Sequence, residues 1–233
     1  MPDVIGEDEG ATRFCGLYDL SLAARFINEG GKENLSLIVS NDLDMADGKI
    51  LIITGANQGG KTTFLRSLGI AQLFMQSGVY VAAKTFASSP AAYIATHFPK
   101  EEDSGLEAGK LEEELIRLRR IFENAKKNSF ILFNEPFTTT TVKEGSRMAA
   151  DTIKALSYTG SRVAFVTHFY EFAVSMCNQK EELFNGERAI SLVTEFPKGV
   201  QSSEYKRTYK IVRGEPQKRV YADEIAKQYT RLS

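Results

Sequence analysis

The sequence predicts an α/β fold: a mainly parallel central sheet flanked by helices. Three observations lead to it. The apolar runs Ile50–Ile53, Phe130–Phe133 and Val163–Val166 are continuous rather than alternating, as strands buried on both faces of a parallel sheet are. Helical patterns separate the runs, at Lys61–Gln76, Leu106–Lys127 and Gly145–Leu156, and strands alternating with helices imply right-handed crossovers. Finally, every run is followed by residues that carry chemistry, beyond the carboxyl ends of the strands, where ligands of such sheets bind.

Taken in order, the elements begin after an acidic segment containing Glu7, Asp8 and Glu9. Residues 1–12 read as flexible and residues 13–233 as one domain. The helix at Leu106–Lys127 sets Leu111, Leu115, Leu118 and Phe122 at helical spacing. Its acids, Glu112 to Glu114, come early and its bases, Arg117, Arg119, Arg120, Lys126 and Lys127, come late, the order the helix dipole favours. Glu113 and Arg117 stand at i,i+4. The only low-complexity tract is Thr138–Thr141.

Composition narrows the class. The 233 residues suit one large domain with a substantial core. Lys and Arg number 29 against 30 Asp and Glu, for a formal net charge of -1, which argues against retention on nucleic acid or an anionic membrane by bulk charge. The two cysteines, Cys15 and Cys177, lie far apart without metal-like spacing. Charges interrupt every run of about 20 residues and the N-terminus is acidic rather than signal-like, so a cytoplasmic location with no membrane association is expected.

The first strand runs into Gly55-Ala56-Asn57-Gln58-Gly59-Gly60-Lys61-Thr62, which fits G-x-x-x-x-G-K-[ST] between a strand and a helix. Glycines let successive N–H groups converge on an anion, and the helix start adds its positive end. Lys61 is predicted to reach the β- and γ-phosphates of a nucleoside triphosphate, and the Thr62 hydroxyl to ligate Mg²⁺. After the second strand, Asn134 stands where an aspartate is usual. Its amide oxygen suits a metal shell but brings no charge. Glu135 follows as the candidate general base. The third strand ends at His168, a candidate sensor of the γ-phosphate, whereas His97 reads as structural.

The segments Leu51–Leu65, LIITGANQGGKTTFL, and Phe165–Phe172, FVTHFYEF, resemble the ATPase domain of the MutS family of DNA mismatch-repair proteins, an ABC-type P-loop fold. Weaker likeness covers Asn41–Met45, Ser77–Ala83, Asn134–Thr141 and Tyr205–Ala226, so that it spans about residues 14–230. The resemblance implies ATP and Mg²⁺ as cofactors, held by Gly55 to Thr63. It implies adenine packing at Ile38 and Val39, metal binding at Thr62 and Asn134, and catalysis by Glu135 and His168. It also implies an ATPase that pairs as a homodimer through composite ATP sites and couples nucleotide state to DNA handling. The family's mismatch-reading, connector, lever and clamp parts do not fit in 233 residues, so DNA would be met mainly by attached domains. Two departures stand out: Asn134, and a signature stretch whose counterparts, Ser104-Gly105 or Ala108-Gly109-Lys110, fit poorly. Both leave room for a nucleotide-gated interaction module with little hydrolysis. A small-molecule kinase is the remaining alternative, but Arg117, Arg119 and Arg120 fit a solvated helix face better than a lid.

Overall fold

A computed structural model describes residues 1–6, 11–45, 48–99, 109–178, 183, 186–195 and 208–218. Its central sheet has six strands in the order β10(Ile211–Arg213), β9(Ala189–Thr194), β4(Ile50–Thr54), β8(Arg162–Val166), β7(Ser129–Asn134) and β6(Tyr93–His97). All neighbours run parallel except β10, which is antiparallel to β9. The three apolar runs are therefore β4, β7 and β8, which lie side by side. Continuous apolarity has the expected cause. Leu51 and Ile53 of β4 face one core while Ile50 and Ile52 face another, so no side of the strand meets water.

One core lies between this sheet and a second sheet. It is filled by α2(Lys61–Gln76), through Phe64, Leu65, Leu68 and Met75. The second sheet runs β1(Asp3–Val4), β5(Thr85–Ser88), β2(Thr12–Leu17), β3(Asn41–Asp44), with β2 antiparallel to both of its neighbours. The apolar runs gave no sign of this sheet. Nor was a strand expected within residues 1–12: Asp3–Val4 pair with Ala87–Ser88 and Thr12 opens β2, because the edge of β5 offers their backbone ready partners. Residues 7–10 of that segment lie outside the described residues.

The other core is covered by α3(Lys110–Asn124), α4(Val142–Tyr158) and α5(Tyr170–Cys177). Helix α3 starts later than its pattern suggested, and residues 106–108 lie outside the described residues. Helix α4 starts a turn earlier than Gly145. Thr141 caps it by accepting the Glu144 N–H at 3.3 Å, and the Glu144 carboxylate reaches back to the Thr141 hydroxyl at 3.0 Å. The threonine tract is thus a helix start built on Thr-x-x-Glu. The remaining helix, α1(Leu20–Gly30), follows β2 and leads into a 3-10 helix at Lys32–Leu37. Among the described residues no helix is long and apolar enough to cross a membrane.

Two buried ionisable groups fasten these layers. Arg162, at the first position of β8, is fully buried. Its guanidinium donates to the Thr12 and Ser88 hydroxyls, both at 2.7 Å, and to the Ser89 carbonyl at 2.8 Å, and it lies over the Phe130 ring at 5.0 Å. Burial pulls it down to about 10, so it stays a cation at neutral pH. The second group is Glu114 of α3. One of its oxygens accepts from His97 Nε2 at 3.0 Å and from the Phe137 N–H at 2.8 Å. Burial pushes the Glu114 carboxyl up, but these two bonds and the nearby Arg117 outweigh it, leaving it below the ordinary carboxylate value.

Replacing Arg162 by Leu strands two hydroxyls and a carbonyl of the second sheet and its edge, so roughly 2–4 kcal/mol of stability should be lost in urea unfolding. For Glu114, the depressed folded value means that its stabilisation is present above the unfolded pKa near 4.5 and lost as pH falls through the folded one. The stability gap between the wild type and Glu114→Gln should therefore be widest near neutrality and shrink below pH 4.5. A gap independent of pH from 7 to about 3 would contradict the assigned bonds.

Candidate functional site

The carboxyl ends of β4, β8 and β7 define the site. Where β4 ends, the chain turns sharply at Gly55, with φ 125°, and passes so close to β9 that a Cβ there would sit 2.3 Å from Thr194 Oγ1. Only glycine fits this position. Thr194 Oγ1 in turn accepts the Ala56 N–H at 3.3 Å. From Gly60 the chain enters α2, whose first turn has no side-chain cap. A helix start of this kind favours an anion through its dipole. Lys61 is buried at 5% exposure, and its ammonium donates to the Gly55 and Ala56 carbonyls, both at 2.9 Å.

The end of β7 supplies the opposing groups. Asn134 Oδ1 accepts the Thr62 hydroxyl at 3.0 Å, which joins the two residues expected to share a metal. Glu135 Oε1 lies 3.7 Å from Lys61 Nζ. The turn that carries Glu135 is unusual, because Glu135 and Phe137 both adopt left-handed backbone, φ 50° and 63°. Each costs about 1–2 kcal/mol for a residue with a side chain. The Glu135 N–H is anchored to the Val166 carbonyl at 2.9 Å. Gly145 of α4 allows the close fit beneath, since a Cβ there would meet the Phe169 ring at 2.5 Å and the Phe137 carbonyl at 2.9 Å.

These groups open on a cavity of about 840 Å³, within the range of small-molecule sites. Asn57, Gln58, Gly60, Lys61, Thr62 and Thr63 form its polar end, with Asn134 and Glu135 opposite. Val39 lines it together with Leu37, Leu22, Phe26 and Tyr18, which give it apolar lining suited to a flat ring. Gly55, Ala56 and Gly59 stand behind the wall rather than in it. Ile38 is half-buried and contributes no part of the wall. His168 is not on the wall either. It is half-buried after β8, with its ring 4.4 Å from that of Phe169. Ser104-Gly105 and Ala108 lie outside the described residues.

Several wall residues carried no motif. Asp19 is buried, caps α1 by accepting the Leu22 N–H at 2.9 Å, and receives Arg66 Nε at 2.6 Å. The Asp19-Leu20-Ser21-Leu22 spacing is a readable cap signal, and Arg66 lies one turn beyond Thr62 on α2. Tyr209 closes the cavity from the far end of the chain. It is held by its neighbours: Lys210 bonds the Ser40 carbonyl, and the Ile211 N–H donates to Asn41 Oδ1 at 2.8 Å. Such pairings across about 170 residues leave no local trace in the sequence.

The chain is similar to several known proteins. It is 29% identical over 195 residues to the putative endonuclease MutS2 of Bacillus subtilis, a match covering 82% of this chain and 23% of that protein. Identity is 31% over 140 residues to the DNA mismatch repair protein MutS of Lachnoclostridium phytofermentans, covering 58% of this chain and 15% of the relative. It is also 31% over 134 residues to MutS protein homolog 4 of Mus musculus, covering 57% and 14%. The chain thus spans about a quarter or less of the length of these relatives. The sequence profile of MutS domain V matches residues 51–227, which run from β4 through the loop before α2 to beyond β10. With most of its length inside that match, the chain belongs to the MutS family.

Proposed function

We propose that this chain is an ATP-binding and ATP-hydrolysing domain of the ABC type, coupling nucleotide state to DNA handling by other parts of a MutS-like repair protein. The observation that carries the proposal is the convergence of Lys61, Thr62, Asn134 and Glu135 on one end of a single cavity. The apolar lining suits an adenine ring, and the uncapped first turn of α2 suits phosphates.

The chemistry follows from what each group can do. Lys61 exchanges its two loop carbonyls for β- and γ-phosphate oxygens, keeping its charge where negative charge gathers. Thr62 and Asn134, already 3.0 Å apart through their oxygens, are the residues that would hold Mg²⁺. Among the described residues no group of three or more His, Cys, Asp or Glu could bind a metal. This fits a cation that takes few protein ligands and relies on phosphates and water. Bound there, Mg²⁺ would neutralise charge on the transferred phosphoryl group. Glu135 accepts the proton of the attacking water, with the Lys61 ammonium 3.7 Å from its carboxylate oxygen. His168, just beyond β8, the strand between β4 and β7, is the phosphate sensor in this scheme. Composite sites in a homodimer and DNA contacts through attached domains complete it.

One feature supports a second function, a nucleotide-gated interaction module with little turnover. Asn134 brings an amide where charge would strengthen metal binding, so hydrolysis depends more heavily on Glu135.

Lys61→Ala should weaken ATP binding by about 100-fold or more in equilibrium titrations, because charge stabilisation of the phosphates is lost. Glu135→Gln should keep ATP binding yet slow phosphate release by roughly 10²–10⁴-fold. Tight binding with no release in the wild type would leave only the module. Asn134→Asp should raise the apparent Mg²⁺ affinity of nucleotide binding, and an unchanged Mg²⁺ requirement would remove Asn134 from the metal shell.

A further inference from the structure

Resting on the assignment of Glu135 as the group that activates water, we propose that Glu114 is a positioning residue that sets the aim of Glu135, with His97 holding Glu114 in place. The turn Glu135-Pro136-Phe137 has left-handed backbone on both sides of the proline, so contacts from outside must keep its shape. On the near side the Glu135 N–H donates to Val166 at 2.9 Å, which extends the sheet ladder. On the far side the Phe137 N–H donates to Glu114 Oε1 at 2.8 Å, an acceptor delivered by α3.

That bond is well placed to hold the turn. The Phe137 side chain is fully buried, Glu114 is 8% exposed and His97 2%, and a charge-assisted bond in dry surroundings is both short and directional. An ionised carboxylate only accepts, so His97 Nε2 carries the proton in the 3.0 Å contact to the same oxygen. The ring of His97 is fixed against Phe133, with centroids 5.7 Å apart. The elements around it are also held by contacts that do not involve the carboxylate. Strand β6 pairs with β7 through the backbone as far as His97 and Phe133, and α3 packs through Leu118 and Ile121. What Glu114 adds is a tether on the turn carrying the Glu135 carboxylate, and misplacing a reacting group by about 1 Å can cost 100-fold in rate.

The test compares Glu114→Ala, Glu114→Gln and Glu114→Ala combined with Glu135→Gln in steady-state ATP hydrolysis, nucleotide binding and amide exchange on the full chain. Glu114→Ala should lower kcat by about 10- to 100-fold, with KM and the ATP Kd within about threefold. The Phe137 amide should exchange faster while Phe130–Phe133 remain protected. Glu114→Gln keeps an acceptor oxygen for Phe137 and should recover turnover to within about threefold. In the Glu135→Gln background the alanine should cost nothing further, because the group it aims is gone. If Glu114→Ala fails to fold, His97→Ala, which releases the Glu114 carboxylate, carries the same expectations. Unchanged kcat overturns the proposal, as does a parallel fall of kcat and ATP binding, or failure of the glutamine to rescue. Turnover that survives Glu135→Gln overturns the assignment of Glu135 and the positioning role with it. Loss of turnover in Glu135→Gln but not in Glu114→Ala overturns the positioning role alone.

Discussion

Every group at the polar end of the cavity is held by reference to β4, a strand with no free edge and no free face. Strands β8 and β9 pair with it on either side, and its side chains are divided between two cores. A chain so confined leaves the sheet in one direction only. At Thr54 that direction leads into Gly55, pressed against Thr194, and on into the uncapped start of α2. The position of Lys61 therefore follows from sheet pairing rather than from the loop's own preferences. Glu135 is set the same way, through its backbone bond to Val166 at the end of β8, the strand next to β4.

How much of this was legible in the sequence depended on the range of the interactions. The loop from Gly55 to Thr62, the strand before it and the helix after it lie within about 30 residues and obey local rules, so they were readable with their boundaries nearly right. Runs such as Phe130–Phe133 were also plain, because burial on both faces removes the polar positions that would otherwise blur a strand. The second sheet was not legible. Its strands are short, β2 alternates buried and exposed positions around Arg13 and Cys15, and its partners stand about 30 to 70 residues away.

The same distinction runs through the site. Lys61, Thr62, Asn134 and Glu135 could be picked out because each lies at the carboxyl end of a strand or past the loop that follows it, and β4 and β7 end on the same side of the sheet. Asp19, Arg66 and Tyr209 did not, since their role comes from packing between distant segments. His97 was read as structural from its surroundings in the sequence. It is indeed buried in the core, but what it holds is a carboxylate that reaches the Glu135 turn. The functional weight of a residue here depends on what its bonding partner touches, and one sequence contains no record of that.

The buried guanidinium of Arg162 bears on how the chain reaches this fold. Its partners, Thr12, Ser88 and Ser89, lie more than 70 residues away along the chain and belong to or adjoin the second sheet. Until β2 and β5 have come together over β8, that cation has no way to leave water without losing its hydrogen bonds, and the apolar run behind it stays partly wet. Early collapse of the six-stranded sheet alone is thereby penalised, and the reward arrives only when both layers meet. The two sheets should accordingly form in one cooperative transition, with slow closure of long loops on the folding path.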